Sequence, residues 1–245
     1  MLERIFGPTN GVQGKVSAVC NKQGDENLEV MKFAPNYMNH VGSLVKSWLP
    51  DRGQIIEFGS GNGIQTLQIE PPSARLTCIE SSASQRDALK LLGYKVAPDL
   101  SELGVSSVVA VFSLNCLEHI EDDHGFLCQL DSFLAPNALV VLYVPALPVL
   151  FSKMDAQVGH FRRYTRRGLT KLLSESGLKV IKIGYVDGLG VLPSMLYKLN
   201  PWASGHPTSQ SVHLYDKYLF PVSKKLDRLF GHCFGKNLLV IGIRK

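Results

Sequence analysis

From Tyr37 the apolar residues Tyr37, Val41, Leu44, Val45 and Trp48 recur on one helical face, and the pattern stops at Leu49-Pro50. The rhythm then shortens. Gln54-Ile55-Ile56-Glu57-Phe58 is an apolar run that ends on glycines, which predicts a buried strand followed by a helix from about Ile64. Further strands are predicted at Leu76–Glu80, Lys95–Ala97, Val108–Ser113, Leu139–Val144, Lys179–Val186 and Leu238–Ile243. Helices fall between them. One covers Ala83–Leu92. A second, capped by Asp122 or Asp123, buries Phe126, Leu127, Leu130 and Leu134. A third is capped by Thr165, carries Leu169, Leu172 and Leu173, and is ended by Gly177.

Strands alternating with helices predict an α/β fold, with a mostly parallel seven-stranded sheet covered by helices on both faces. Residues 1–245 read as one domain, with an N-terminal extension over 1–35 and an insertion over 187–236 before the last strand. The insertion breaks the alternation with Pro193, Pro201, Pro207 and Pro221, and carries Tyr197, Trp202, Tyr215, Tyr218 and Phe220. So long a segment without structure is uncommon, so it is expected to be partly helical and to pack on the core or act as a lid.

Composition narrows the setting. A hydrophobic fraction of 45% and a charged fraction of 19% over 245 residues suit a globular chain that buries a core without staples. Five cysteines, an odd number with no CxxC spacing, favour a reduced cytoplasmic protein over a disulfide framework or zinc site. The first residues lack the apolar core of a signal peptide, and Ala138–Phe151 is broken by Pro145 and Pro148 and is too short to span a bilayer. The net charge of +5 is uneven: Lys153–Lys182 holds eight basic residues against two acids, and Lys217–Lys245 seven against one. Such segments are either solvated faces or attract phosphate, carboxylate or an anionic membrane surface.

The chemistry gathers around Glu57-Phe58-Gly59-Ser60-Gly61-Asn62-Gly63. Glycines let the backbone reach positive φ and approach a ligand closely. In open α/β sheets ligands bind beyond the carboxyl ends of the strands. A dinucleotide site would need its third small residue at position 64, which is Ile64, so the spacing disfavours NAD and FAD. Glu80 ends the second strand, where an acid can accept hydrogen bonds from both hydroxyls of a ribose.

These residues resemble motif I of class I S-adenosylmethionine-dependent methyltransferases, which share a Rossmann-like fold. Leu114-Asn115-Cys116-Leu117-Glu118-His119-Ile120-Glu121-Asp122-Asp123 is similar to a second motif of that class. Val144-Pro145-Ala146, Asp155 and Gly159-His160-Phe161-Arg162-Arg163-Tyr164-Thr165 resemble a bacterial branch, type 11/12, whose members commonly accompany polysaccharide biosynthesis. The resemblance runs from about Asn36 to Tyr185. It implies S-adenosylmethionine as cofactor, with S-adenosylhomocysteine as product. Glu57, Gly59, Ser60, Gly61, Asn62 and Gly63 would hold the methionine portion and ribose. Glu80, with Ser81 beside it, would hold the ribose, and Asp99-Leu100 the adenine. Asn115 and Cys116 would line the methyl-donor side, and Tyr37 would close over the cofactor. Cys116 stands where the family usually has Val, a residue of similar size.

The sulfonium is already an activated donor, so alignment carries most of the catalysis and no metal is required. A hydroxyl acceptor would gain from a general base, for which His119 and His160 are the candidates. Arg162, Arg163 and Tyr164 are the candidate acceptor contacts, one arginine binding an anionic group and the other pairing with an acid such as Asp155. The reading is an enzyme that methylates a small-molecule or saccharide-like acceptor, at oxygen. A non-catalytic cofactor-binding subunit of a biosynthetic complex is the alternative. A nucleic-acid methyltransferase is disfavoured, because no RNA-binding module and no NPPY-type motif is present and Ser113-Leu114-Asn115-Cys116 stands there instead. Monomer and homodimer both remain open, as does peripheral membrane contact.

Overall fold

The computed structural model describes residues 29–103, 107–199, 208–230 and 233–245. Most of the N-terminal extension, Pro201, Trp202, Pro207 and Cys20 lie outside these described residues.

The strands are β1 (Gln54–Phe58), β2 (Leu76–Ile79), β3 (Lys95–Ala97), β4 (Val108–Leu114), β5 (Leu134–Pro145), β6 (Leu178–Val186) and β7 (Asn237–Arg244). They form one seven-stranded sheet in the order β3-β2-β1-β4-β5-β7-β6. β1 to β5 pair in parallel. β7 enters antiparallel between β5 and β6. The sequence-based strands are all present, within a residue or two at most ends. β5 starts five residues earlier, at Leu134, which had been assigned to the preceding helix.

Side-chain alternation divides the core cleanly. Ile56, Val111, Val140, Leu142 and Val144 face one layer, packed on Phe126, Leu127, Leu130, Leu169 and Leu173. Their neighbours Ile55, Ala110, Phe112, Val141 and Tyr143 face the other, packed with Val41, Val45, Ile69 and Leu89. This period of two is the reason a strand buried on both faces reads as an unbroken apolar run. The first layer is built by α4 (Asp123–Asp131) and α6 (Arg166–Glu175). The second uses α1 (Pro35–Lys46), α2 (Thr66–Ile69) and α3 (Ala83–Leu91). Capping follows expectation: the Asp122 carboxylate accepts from Gly125 N, and the Thr165 hydroxyl from Gly168 N. The helix after the glycine turn is shorter than expected. It spans four residues, because Pro71-Pro72 pushes Glu70 into an extended conformation.

A short helix, α5 (Lys153–Gln157), lies between β5 and α6. The described part of the insertion is helical. It contains α7 (Val191–Leu199), then α8 (Ser209–Leu214), a π turn at Tyr215–Leu219 and α9 (Phe220–Phe230) in one continuous run. Three aspartates bind it to the core. Asp187, at φ +62°, accepts from Gly190 N, Ser223 Oγ and the Tyr215 hydroxyl. Asp227 accepts from the backbone N–H groups of Asp187 and Gly188 at 2.7 and 2.9 Å. Asp216, in the π turn, accepts from Asn36 N at 3.0 Å and Tyr37 N at 2.8 Å. Those are first-turn donors of α1, whose own cap residue is Ala34 and supplies no side-chain acceptor.

Asp216 therefore caps α1 from 180 residues away, with its negative charge at the positive end of the helix dipole. Asp216→Ala is expected to lower unfolding stability by about 3 kcal/mol in a denaturant titration, and Asp216→Asn by less, because the amide keeps one acceptor. Equal losses for the two variants would show that the cap does not carry the tether.

Candidate functional site

β1 lies between β2 and β4, so the order in which successive strands are added reverses at the β1–β4 boundary, although the two strands are parallel. That is the switch point at which an α/β sheet opens a crevice at its carboxyl edge. Ser113 Oγ donates to Phe58 O at 2.8 Å and locks β4 to β1 there, while Asn115 N donates to Tyr143 O at 2.7 Å and ties the end of β4 to β5. Asn115 takes the left-handed φ of +49°, a conformation that recurs where backbone strain serves a site. It is exposed at the mouth of the crevice, while Cys116 turns inward.

Gly59, Gly61 and Gly63 all hold positive φ. At Gly59 the requirement is also spatial. A Cβ there would lie 2.2 Å from Cys116 Sγ and 2.6 Å from Cys116 Cβ. Gly59 thus permits the ends of β1 and β4 to touch. Glu80 braces the turn from β2: its carboxylate accepts from Gly61 N at 2.9 Å and Ser82 N at 2.8 Å, with Ser81 Oγ at 3.5 Å. Each carboxylate oxygen has a second lone pair, which suits ribose hydroxyls. Asn62 accepts from Ile64 N, and Ser60 Oγ donates to Glu57 O.

Glu57 sits beneath this turn, 2% exposed. Burial pushes its carboxyl up to about 7, with the Cys78 thiol 3.9 Å from one carboxylate oxygen. Asp99 is exposed and caps a 3-10 turn at Leu100–Glu102 by accepting from Ser101 N. Leu100 is buried. Tyr37 lies on the other side of the sheet's edge. Its hydroxyl is 3.0 Å from that of Tyr143 and accepts from Asn237, and its ring meets Phe220 edge-on at 5.3 Å. The tyrosine expected to close over the cofactor is thus held by β5, β7 and the insertion.

A second group gathers beyond Cys116. The 3-10 turn Leu117–His119 follows β4, and the segment after α5 brings His160 to it. His119 and His160 pack edge to face with centroids 4.7 Å apart. The two histidines singled out in the sequence thus share one site. Burial, and then His160, hold His119 down to about 4. Asp155 accepts from His160 Nδ1 at 2.9 Å and from Arg163 Nε and Nη2 at 2.8 and 3.2 Å. Burial raises the Asp155 carboxyl, but His160 and Arg163 outweigh it and hold it well below the usual carboxylate range.

The arginine pair separates as adjacent residues must. Arg163 is buried and bidentate on Asp155, and also reaches Ala146 O. Arg162 pairs with Asp123 at 2.9 Å and donates to Glu121 O. Tyr164 is buried, its hydroxyl donating to Leu117 O and Asp123 Oδ2. Arg163 and Tyr164 are therefore struts inside the protein; the acid pairing expected of one arginine falls to Arg163, which leaves Arg162 as the more exposed member of the pair. The residue overlooked in the sequence is Glu118. It is fully buried, neither carboxylate oxygen has a hydrogen-bond partner, and burial pushes the group up to about 7. A charged residue inside an apolar run next to His119 was the available signal.

With this geometry in hand, comparison with known proteins fixes the class. The profile of a family described as a methyltransferase domain matches residues 31–183. The chain belongs to that family, and its fold and cofactor class are those of class I S-adenosylmethionine-dependent methyltransferases. Among individual proteins, it is 23% identical over 199 residues to a C-methyltransferase, NovU, of Streptomyces niveus. That match covers 75% of this chain and 47% of the relative, so the chain spans about half the relative's length. Solved structures share the fold. One is an S-adenosylmethionine-dependent methyltransferase of Thermotoga maritima, described as a possible histamine N-methyltransferase, with TM-score 0.61 and 16% identity over 90% of this chain and 95% of that one. Another is geranyl diphosphate C-methyltransferase of Streptomyces coelicolor A3(2), solved with Mg2+, geranyl diphosphate and S-adenosylhomocysteine, with TM-score 0.57 and 15% identity over 84% and 80% of the two chains. Among the described residues, no helix is long and apolar enough to cross a membrane.

Glu57 yields a pH prediction for the cofactor-free protein. Its folded form holds the proton up to about 7, whereas the unfolded chain releases it near its ordinary value of 4.5. Stability contributed at this site therefore falls as pH rises across that window. Glu57→Gln should leave the denaturation midpoint nearly unchanged at pH 5 and raise it at pH 8, by up to about 3 kcal/mol of unfolding free energy. An equal effect at both pH values would show that the carboxyl is not protonated in the folded state.

Proposed function

We propose that this protein transfers a methyl group from S-adenosylmethionine to a small, saccharide-like acceptor, at an oxygen that must lose a proton. The observation that carries this reading is the group of Glu118, His119 and His160 next to Asn115 and Cys116, at the carboxyl edge where an acceptor would meet the methyl donor. The cofactor supplies an electrophilic methyl on sulfur. The chain's own residues do the rest. The glycine turn lets the backbone approach the cofactor, Glu80 and Asp99 offer acceptors to its ribose and adenine, and Asn115 with Cys116 borders the donor side. Asp155, fixed by Arg163, holds the His160 ring through Nδ1 and leaves Nε2 facing the cluster, which is how a base is oriented. The insertion, tied to α1 by Asp216, would select the acceptor as a lid.

A carbon acceptor is the second reading, favoured by the C-methyltransferases among its relatives. The same cluster would then remove a proton from a carbon next to a carbonyl. No feature favours nucleic acid, and the non-catalytic alternative leaves the buried Glu118–His119–His160 group without a task.

His160→Ala should reduce turnover with an accepted substrate by at least about 100-fold while leaving S-adenosylmethionine affinity within about threefold, since base catalysis contributes that range. Asp155→Asn should lower turnover by a smaller factor. The check is methyl transfer from isotope-labelled cofactor to a panel of sugars, sugar phosphates and carbonyl compounds, with NMR assigning the new bond to oxygen or carbon. Full turnover in His160→Ala would remove the cluster from the reaction.

A further inference from the structure

Glu118 is an anomaly that methyl transfer alone does not explain. Its side chain is 0% exposed and both carboxylate oxygens lack a hydrogen-bond partner. An isolated buried carboxylate costs several kcal/mol, so such a group is normally paired or bound to a metal. The nearest cations do not serve it. Arg163 spends its fork on Asp155, and His160 Nε2 stands 3.8 Å from Glu118 Oε1, beyond hydrogen-bonding range.

The surroundings have the form of a ligand set. One donor atom each from Glu118, His119 and His160 lies within 4.8 Å of the others. One imidazole is anchored from behind: His160 Nδ1 is held by Asp155 at 2.9 Å, and the His119 ring packs edge to face on His160 with centroids 4.7 Å apart. A histidine whose rear nitrogen is fixed by a carboxylate or carbonyl presents its other nitrogen as a neutral, directed donor. Asp155 is in turn locked by Arg163, so the support has a further shell.

We propose that Glu118, His119 and His160 bind a divalent first-row transition-metal ion, of which Zn2+ is the best match to two imidazoles and one carboxylate. Three protein donors leave a coordination position for an oxygen of the acceptor; with the ion bound, His160 Nε2 serves as a ligand, and the ion rather than that nitrogen would lower the acceptor's pKa. This rests on the methyl-transfer reading for the task of the ion, but the site itself is independent of it. The ion would give the buried carboxylate its missing partner and would hold an acceptor oxygen beside the donor-side residues Asn115 and Cys116. It differs from the expectation drawn from the sequence, in which no metal is involved.

The full chain, stripped with a chelator, would be titrated with CoCl2 and followed by visible absorption, then with ZnCl2 by calorimetry. S-adenosylmethionine binding would be measured on the same samples. The expected result is one equivalent of Co2+ with the intense bands of a four-coordinate site, no thiolate charge-transfer band, and displacement by Zn2+. Glu118→Gln and His160→Ala should each weaken binding at least tenfold with cofactor affinity unchanged, which shows that the variants are folded. Asp155→Asn, which leaves the ligands in place, should weaken it by about 10- to 100-fold. Wild-type protein that binds S-adenosylmethionine but takes up no stoichiometric Co2+ or Zn2+ would overturn the metal site and leave the methyltransferase reading standing. Co2+ uptake unaffected by Glu118→Gln would overturn it as well. Metal binding without cofactor binding would support the site and count against the methyl-transfer reading.

Discussion

The contact between Gly59 and Cys116 is the constraint on which the rest of the site depends. It lets the carboxyl ends of β1 and β4 touch at the reversal of the sheet. Any side chain at position 59 would overlap Cys116 at its backbone-proximal Cβ as well as its sulfur, so the pair cannot be relieved by turning one rotamer. The same contact fixes the start of the 3-10 turn at Leu117–His119. The cofactor turn and the Glu118–His119–His160 cluster are therefore two sides of one junction. The glycine turn and the buried Glu118 stand within a few residues of the same contact because two strands meet there.

Buried acids organise the surroundings, and they do so in different ways. Asp155 is surrounded by donors and charge, so burial costs it little and its ionised form is secure. Asp216 and Asp227 satisfy backbone N–H groups that no local residue could reach. Asp187 gathers a tyrosine, a serine and a backbone amide. Glu57 and Glu118 are the exceptions, both held near 7 chiefly by burial. They lie at the ends of β1 and β4, at the crevice itself. Glu118 differs from Glu57 in that neither of its oxygens has a hydrogen-bond partner, and perturbed acids of this kind cluster where ligands bind.

Much of this was legible in the sequence. Short apolar runs marked the strands, and the glycines at 59, 61 and 63 marked the positive-φ turn that Glu80 braces, because these depend on local chemistry. The misread portions depend on distant partners. Leu134 looked like a helix residue by spacing and became the first residue of β5, since pairing with β4 at Val108 decides it. The sequence expects one of Arg162 and Arg163 to pair with an acid such as Asp155 but does not say which, and it leaves open what holds Arg163 and Tyr164. Their partners, Asp155 on α5 and Asp123 on α4, are assigned only once the chain is folded. Tyr37 is expected to close over the cofactor, and the partners of its hydroxyl, Tyr143 and Asn237, are not visible in the sequence. Glu118 escaped notice because a sequence shows a charge but not the lack of a partner.

The tether of the insertion connects these observations. Asp216 caps α1 at Asn36 and Tyr37, and Tyr37 joins Tyr143 of β5 and Asn237 of β7 through its hydroxyl. Tyr143 also accepts Asn115 N on its carbonyl, at the strained residue that opens onto the crevice. A continuous path of hydrogen bonds thus runs from the π turn of the insertion through Tyr37 and Tyr143 to Asn115. Each link is buried or partly buried, where unmade hydrogen bonds are expensive. Movement of the insertion would have to break the capping bonds at α1 or carry Tyr37 with it. The insertion is therefore coupled through hydrogen bonds to Asn115 at the carboxyl edge of the sheet, and a displacement of its helices has a physical route to the crevice.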